Sequence, residues 1–209
     1  QYCSINGILF TKNLEKLLCV PAKIARSHYT IPTGVTSIGQ YAFYRCWKLQ
    51  SITIPTSVTS ICDAAFFGCS DLQSITIPTS VTSIGDSVFS DCSELQSITI
   101  PTSVTSIGDS VFSDCSKLTT INVDSDNIQY CSIDGILFTK NLETLLCFPA
   151  KHRLSNYTIP SSVKSIGHFA FFGCSQLQSI IIPASVTSIG NSAFSGCSTL
   201  QSITIPASV

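Results

Sequence analysis

Eleven cysteines, three histidines and a set of regularly spaced aspartates are the residues of this chain whose types could do chemistry. Six of the cysteines, Cys46, Cys69, Cys92, Cys115, Cys174 and Cys197, each follow a phenylalanine by three residues and are separated by 23 residues, apart from one gap of 59. Disulfides, a metal site and inert packing are the three uses open to such a set. A disulfide places Cβ atoms about 3.8 Å apart, whereas parallel side chains on strands about 4.8 Å apart stay wider than that. The six therefore read as a ladder of free, buried thiols packing as small hydrophobes. Cys3 with Cys131 and Cys19 with Cys147 recur at matching positions and read as packing as well, while Cys62 stands alone where other units carry glycine. No C-x-x-C pair has a histidine nearby, so no zinc site is expected.

An internal copy tests the histidines. Residues 2–32 recur as residues 130–160 at a constant offset of 128. At that offset His28 corresponds to Asn156, His152 to Ile24 and His168 to Gln40, so none is kept in its twin. They read as loop or surface positions filled indifferently, and neither a catalytic triad nor a histidine metal site is expected. Asp86 with Asp91, and Asp109 with Asp114, have the regularity of a calcium ladder. The matching positions elsewhere hold Gln40, His168, Arg45 and Gly173, so the aspartates read as solvated caps, Asp86 capping its own helical turn. No catalytic residue, cofactor or metal is predicted.

Composition narrows the partners. Only 11% of residues are charged, against roughly a quarter in an average soluble protein, and serine and threonine fill the difference. With 11 basic and 12 acidic side chains the net charge is -1, and no basic cluster is present to neutralise a row of phosphates, so nucleic acid is not an expected partner. No run of eighteen or more apolar residues predicts direct membrane insertion. The chain has no methionine and begins inside a motif that recurs later, which suggests a segment of a longer protein.

The elements that must position these residues are written in the repeat. "IPTSVTSIGDSVFSDCS" occurs at residues 77–93 and again, without a difference, at 100–116. Ile-Pro recurs with Pro32, Pro55, Pro78 and Pro101, then Pro160, Pro183 and Pro206, at intervals of 23 broken once by 59. A fixed period in this range, with apolar positions spaced L-x-x-I-x-I, marks a solenoid of the leucine-rich-repeat kind. In "SITIP" the alternation puts Ile75 and Ile77 inward and Ser74 and Thr76 outward, and Pro78, lacking an N–H, ends the strand. A second extended piece at residues 81–84 leads through Gly85 into a helical turn that brings Phe89 and Cys92 inward and leaves Ser90 outward. Phe89 is then enclosed by Phe66 and Phe112. Each unit is the template on which the next one stacks. The fold class expected is a β-rich repeat solenoid with short helical or 3-10 turns, a single unit over residues 1–209. Regular coils fill 31–123 and 159–209, and cassettes fill 1–30 and 124–158. Within each cassette "GILF" and "LLC" flank "TKNLE" as a β-hairpin that either replaces a coil or projects from one.

The versions of "AFYRCWKLQSITIPTSVTSI" and the "DGILFTKNLETLLCFPAK" cassette closely resemble the BspA-like leucine-rich-repeat family over essentially all of the chain. The resemblance implies a curved rod. It also implies an extracellular or cell-surface protein, since members are generally large surface or secreted proteins of host-associated bacteria and protists, implicated in attachment. A protein ligand, such as a host surface or matrix protein, is the implied partner. The matching residues are core residues, so no family binding residue carries over to a position here.

Candidate binding residues come instead from departures within the repeat. Where later coils carry Ser or Asp, the coil after the first cassette has Tyr41, Tyr44, Arg45, Trp47 and Lys48, with Phe67 one coil on at the Tyr44 position. Phe169 and Phe172 occupy the matching positions after the second cassette, so the recurring aromatics read as packing against each hairpin. Trp47 has Ser175 as its twin and is the best single contact candidate. An alternative concave face is the strand row Ser51, Thr53, Ser74, Thr76, Ser97 and Thr99. Such a row also raises ice binding as a remote reading. Asn156-Tyr157-Thr158 is a glycosylation sequon. A non-catalytic adhesion or protein-binding module is the function expected. A structural spacer, with binding elsewhere, is the rival.

Overall fold

The computed structural model of the chain describes residues 1–23 and 25–209. Two columns of short strands run up the molecule. One column carries His28–Thr30, Ser51–Thr53, Ser74–Ile75, Ser97–Ile100, Thr120–Val123, Asn156–Thr158 and Ser179–Ile181; the other carries Ser37–Ile38, Ser60–Ile61, Ser83–Ile84, Ser106–Ile107, Ser165–Ile166 and Ser188–Ile189. Pairing between regular coils is parallel and in repeat register, as in Ile52 with Ile75 or Ile61 with Ile84. The isoleucines of both columns point into the coil except Ile181, which takes an outward strand position and is exposed, and Val35, Val58, Val81, Val104, Val163 and Val186 fill the space between the inward rows without exposure. The chain is a β-solenoid whose ladder core forms two clusters that meet at the second cassette.

The third side of each coil departs from the expected helical turn. No helix occurs among the described residues. Each turn instead contains two left-handed residues four apart, Ser87 and Asp91 in one coil and Tyr41 and Arg45 in another, with φ between 53° and 60°. A left-handed residue cannot continue a right-handed helix, and its reversal points successive N–H groups in different directions. Ala42, Tyr44 and Cys46 donate within their own coil, to Gly39, Tyr41 and Phe43, while Tyr41, Phe43 and Arg45 donate to Asp63, Ala65 and Phe67 of the next. The turn side is thus a backbone ladder in its own right. Glycine takes the second left-handed position at Gly68, Gly173 and Gly196, where φ is 71–77°.

Side chains extend this ladder. The Cys46, Cys69, Cys92 and Cys115 thiols donate to the carbonyls of Val20, Phe43, Phe66 and Phe89, at 3.0–3.3 Å. The hydroxyls of Ser57, Ser80 and Ser103 donate to Val35, Val58 and Val81 at 2.6–2.7 Å. Phe89 is fully buried and stacks between Phe66 at 5.7 Å and Phe112 at 5.9 Å, as the repeat predicts. Ser90 does not face outward as expected: it is 6% exposed, and its hydroxyl lies 2.7 Å from that of Ser113. The left-handed Asp91 beside it turns the chain so that Ser90 tucks under the next coil.

Each cassette contains the predicted hairpin, Ile8–Thr11 with Lys16–Cys19 and Ile136–Thr139 with Thr144–Cys147, and a further antiparallel strand before it, Tyr2–Ile5 or Tyr130–Ile133. The last strand of each cassette pairs in parallel with Ser37–Ile38 or Ser165–Ile166, so on that side the cassette takes the place of a coil. The extra strand is joined to the hairpin by Asn6-Gly7 or Asp134-Gly135, both residues at positive φ, the two-residue turn that Asn-Gly and Asp-Gly favour. Asn127, fully buried, locks the second cassette on. Its amide donates to the carbonyls of Pro101 and Val104 at 2.8 and 3.0 Å and accepts from the N–H groups of Gln129 and Tyr130 at 2.9 and 2.8 Å. It continues at Val104 the role that serine plays one coil earlier.

Candidate partner-binding site

The turn column places Tyr41, Tyr44, Arg45, Trp47 and Lys48 on one edge of the solenoid, all five exposed. Inward-facing Ala42, Phe43, Cys46 and Leu49 anchor the segment without exposure, so the residues between them are held outward by the same backbone ladder that fixes the core. Tyr41 meets Tyr44 edge-on at 5.5 Å, Tyr44 stacks on Phe67 of the next coil at 5.6 Å, and the Arg45 guanidinium lies 5.3 Å from the Tyr44 ring. The Lys48 ammonium lies 4.7 Å from the Trp47 ring. The result is an apolar floor with two cations resting on aromatic faces. The expectation that these aromatics pack on the hairpin is not met: Tyr41 is 51% exposed and Tyr44 42%, and the ring stacked on Tyr44 is that of Phe67. Phe169, at the same left-handed position behind the second cassette, lines a small cavity with the hairpin residues Leu137, Leu146 and Cys147. Phe169 and Phe172 repeat the first contact at 5.4 Å and are half-buried.

The alternative row divides. Thr53, Ser74, Thr76, Ser97 and Thr99 are exposed and Ser51 is half-buried. The sheet beneath them is interrupted, because His28–Thr30, Ser51–Thr53 and Ser74–Ile75 form one piece and Ser97–Ile100 with Thr120–Val123 another. A shallow groove lined by Thr76, Thr79, Thr99, Pro101 and Asp124 opens at that break. At the sequon, Asn156 is exposed and accepts a hydrogen bond from Ser179 at 2.6 Å.

Two expectations about chemically capable residues change. His152 is not a surface residue: it is 3% exposed, its Nε2 lies 2.8 Å from the Asp134 carbonyl, and its Nδ1 accepts the Leu154 N–H at 3.3 Å. It packs edge-on against Phe148 at 4.7 Å and pins the cassette loop. The aspartate caps act between coils rather than on their own turns. Asp63 accepts the N–H of Asp86 at 3.0 Å, Asp86 that of Asp109 at 2.8 Å, and His168 fills the same slot for Asn191 at 2.8 Å. Periodicity could have shown this, because the accepting atom and its donor are one repeat apart. Among the described residues no cluster of three or more His, Cys, Asp or Glu is placed to hold a metal ion.

Five of the six repeat thiols are held in their unreactive form, while half-buried Cys197 is lowered by its hydrogen bond with Cys174. Burial, with Cys19 nearby, pushes Cys46 up to about 12, and burial raises Cys69, Cys92 and Cys115 as well. Contact with Cys197 and burial raise Cys174. The thiolate is the nucleophile, so these side chains are inert near neutral pH.

Residues 23–143 and 145–209 match the BspA type leucine-rich repeat region in six copies. The chain belongs to the BspA-type leucine-rich repeat family. Among solved structures, a leucine-rich repeat protein from Eubacterium ventriosum is similar to this BspA-type protein with a TM-score of 0.72 and 29% identity, over 87% of this chain and 56% of that one. The chain therefore spans little more than half of that structure's length. The leucine-rich cell surface protein of Faecalibacterium prausnitzii is similar at 27% identity and a TM-score of 0.51, over 100% and 74% of the two chains. The pneumococcal vaccine antigen PcpA shares the fold at 22% identity and a TM-score of 0.66, over 100% and 71%. Comparison with curated proteins gives no match. No helix of this BspA-type chain, among the described residues, is long and apolar enough to cross a membrane.

Proposed function

We propose that the chain is a non-catalytic, secreted or surface-displayed binding module that attaches to a protein partner, a host surface or matrix protein, through Tyr41, Tyr44, Arg45, Trp47 and Lys48. Trp47 carries the reading. It is 52% exposed at a position where the other coils hold Ser70, Ser93, Ser116, Ser175 and Ser198. A bulky indole on a surface otherwise dressed in small hydroxyls contributes nothing to the core. Tryptophan, tyrosine and arginine are also the types in which interface energy concentrates, and repeat proteins place recognition on residues that vary while the scaffold stays constant. Burying this patch under a partner would desolvate two cations already compensated by aromatic rings.

The test is attachment to immobilised host and matrix proteins. Trp47→Ala combined with Arg45→Ala is expected to weaken attachment tenfold or more, about 1.4 kcal/mol, at unchanged thermal stability. Normal attachment by that variant, with loss on replacing Thr53, Thr76 and Thr99, would move the site to the strand face. No attachment by the native chain would favour the spacer.

A further inference from the structure

Charge along this chain is segregated far more than its net value suggests. Residues 1–62 hold six basic side chains and one acid, residues 63–143 hold two bases and eleven acids, and residues 144–209 hold three bases and no acid, giving blocks of +5, -9 and +3. The turn edge repeats the pattern at close quarters. Arg45 shares its column with Asp91 and Asp114, and Lys48 shares its column with Asp71 and Glu94, because every coil repeats the same backbone bonds. Asp86, Asp91, Asp109 and Asp114 are all exposed. Crowding is felt there: partial burial and the neighbouring Asp91 raise the Asp114 carboxyl. Among the described residues the salt bridges are Lys117 with Glu94 and Lys164 with Glu143, so Arg45 and Lys48 enter none.

At about 4.8 Å per coil, Asp91 and Asp114 lie two and three coils from Arg45, roughly 10–14 Å, which is beyond the screening length of about 8 Å at physiological salt. Asp71 lies one coil from Lys48 but forms no salt bridge with it, so within one molecule the Asp91 and Asp114 carboxylates are left unpaired by the patch. A second molecule removes that separation. With a net charge of -1 no overall repulsion opposes the approach.

We propose that this chain binds a second copy of itself, the aromatic and cationic patch of one copy covering the acidic turn edge around Asp91 and Asp114 of the other. The pairing rests on the patch being a docking surface, the reading proposed above for its attachment to a protein partner. Each copy carries both surfaces on one edge, so the contact joins unlike patches. Such contacts pair reciprocally when two copies run antiparallel and extend into chains when they run parallel.

The repeat supplies its own charge-reversed variants. Aspartate already occupies the Arg45 position at Asp91, arginine occupies the Asp114 position at Arg45, and glutamate occupies the Lys48 position at Glu94. Both R45D/K48E and D91R/D114R therefore place residues that the turn accommodates elsewhere in this chain. Sedimentation velocity over a concentration series, with emission from Trp47, the sole tryptophan, reports association at this patch. The native chain is expected to associate with a blue shift of Trp47 emission at about 20 mM salt and at least tenfold more weakly at about 500 mM. Each reversal alone should weaken association tenfold or more. An equimolar mixture of the two reversed chains should restore it, since the basic patch of D91R/D114R then meets the acidic edge of R45D/K48E. A native chain that stays monomeric, or a mixture that fails to associate, overturns the proposal. If that monomeric chain still loses attachment to an immobilised protein on Trp47→Ala, only the second-copy assignment has failed. Association that persists through R45D/K48E overturns the patch as docking surface.

Discussion

Raising the pH should unfold this protein through its thiols. Cys46, Cys69, Cys92 and Cys115 are unexposed and Cys147 is half-buried, and burial raises all five above the ordinary thiol value of 9.0, Cys46 and Cys147 to about 12. The folded state therefore keeps five protons that the unfolded chain releases once the pH passes about 9. Because the folded value is the higher one, the stability is intact below about pH 9 and is lost as the pH climbs towards the folded value. Each thiol that ionises only on unfolding favours the unfolded state by about 0.4 kcal/mol at pH 9 and about 1.4 kcal/mol at pH 10. Five of them sum to about 2 kcal/mol at pH 9 and about 7 kcal/mol at pH 10, comparable with the whole stability of a typical domain. Urea unfolding followed by circular dichroism at pH 7, 8, 9 and 10, with a phosphine reductant present, reads this directly. Cys92→Ala should lower stability at every pH and shrink the drop between pH 7 and 10 by about a fifth. Stability that is flat across this interval, or a slope untouched by Cys92→Ala, would refute the argument that burial holds the ladder protonated.

Phe89→Ala should cost about 3–5 kcal/mol, since the ring is stacked on both sides, whereas half-buried Phe194, stacked on Phe171 alone at 5.1 Å, should cost about half as much in the same urea titration. Equal costs would mean that neighbour stacking is not what secures the column. Asn127→Ala strips four hydrogen bonds from a buried amide and should destabilise by about 3–5 kcal/mol; hydrogen exchange should show the loss concentrated in Tyr130–Ile133, and uniform exchange would count against a local clamp. Ser90→Ala should cost about 1 kcal/mol by losing the contact with Ser113, against almost nothing for exposed Thr99→Ala, and equal Tm values for the two would place Ser90 at the surface after all.

The periodic parts of the fold were legible because a ladder makes the same demand of every unit. Ile75, Val81, Phe89 and Cys92 recur at 23-residue spacing, and any residue whose neighbour is its own copy can be read as buried or exposed from one unit. The first strand of each cassette is not evident from the "TKNLE" loop that separates the two apolar runs; its signals are the turns Asn6-Gly7 and Asp134-Gly135. The F-x-x-C spacing reads as a helical turn. A repeated pair of left-handed residues delivers the same two side chains inward, and spacing alone cannot separate the two.

Sequence by itself determined the solenoid, the inward rows and the departure of Tyr41 to Lys48 from the repeat, since each is a statement about period and residue type. Only the tertiary structure decided that the aspartates cap the coil above and that Ser90 and His152 are buried. It alone showed Tyr41 and Tyr44 exposed along an edge, with Tyr44 on Phe67. In every one of these cases the deciding partner lies a coil away or across a cassette. The choice of which neighbouring backbone group a polar atom meets depends on the direction the chain takes at a left-handed residue. That direction is set by the stacked coils together, because the inter-coil bonds that compensate for the strained turn exist only once the next coil is in place.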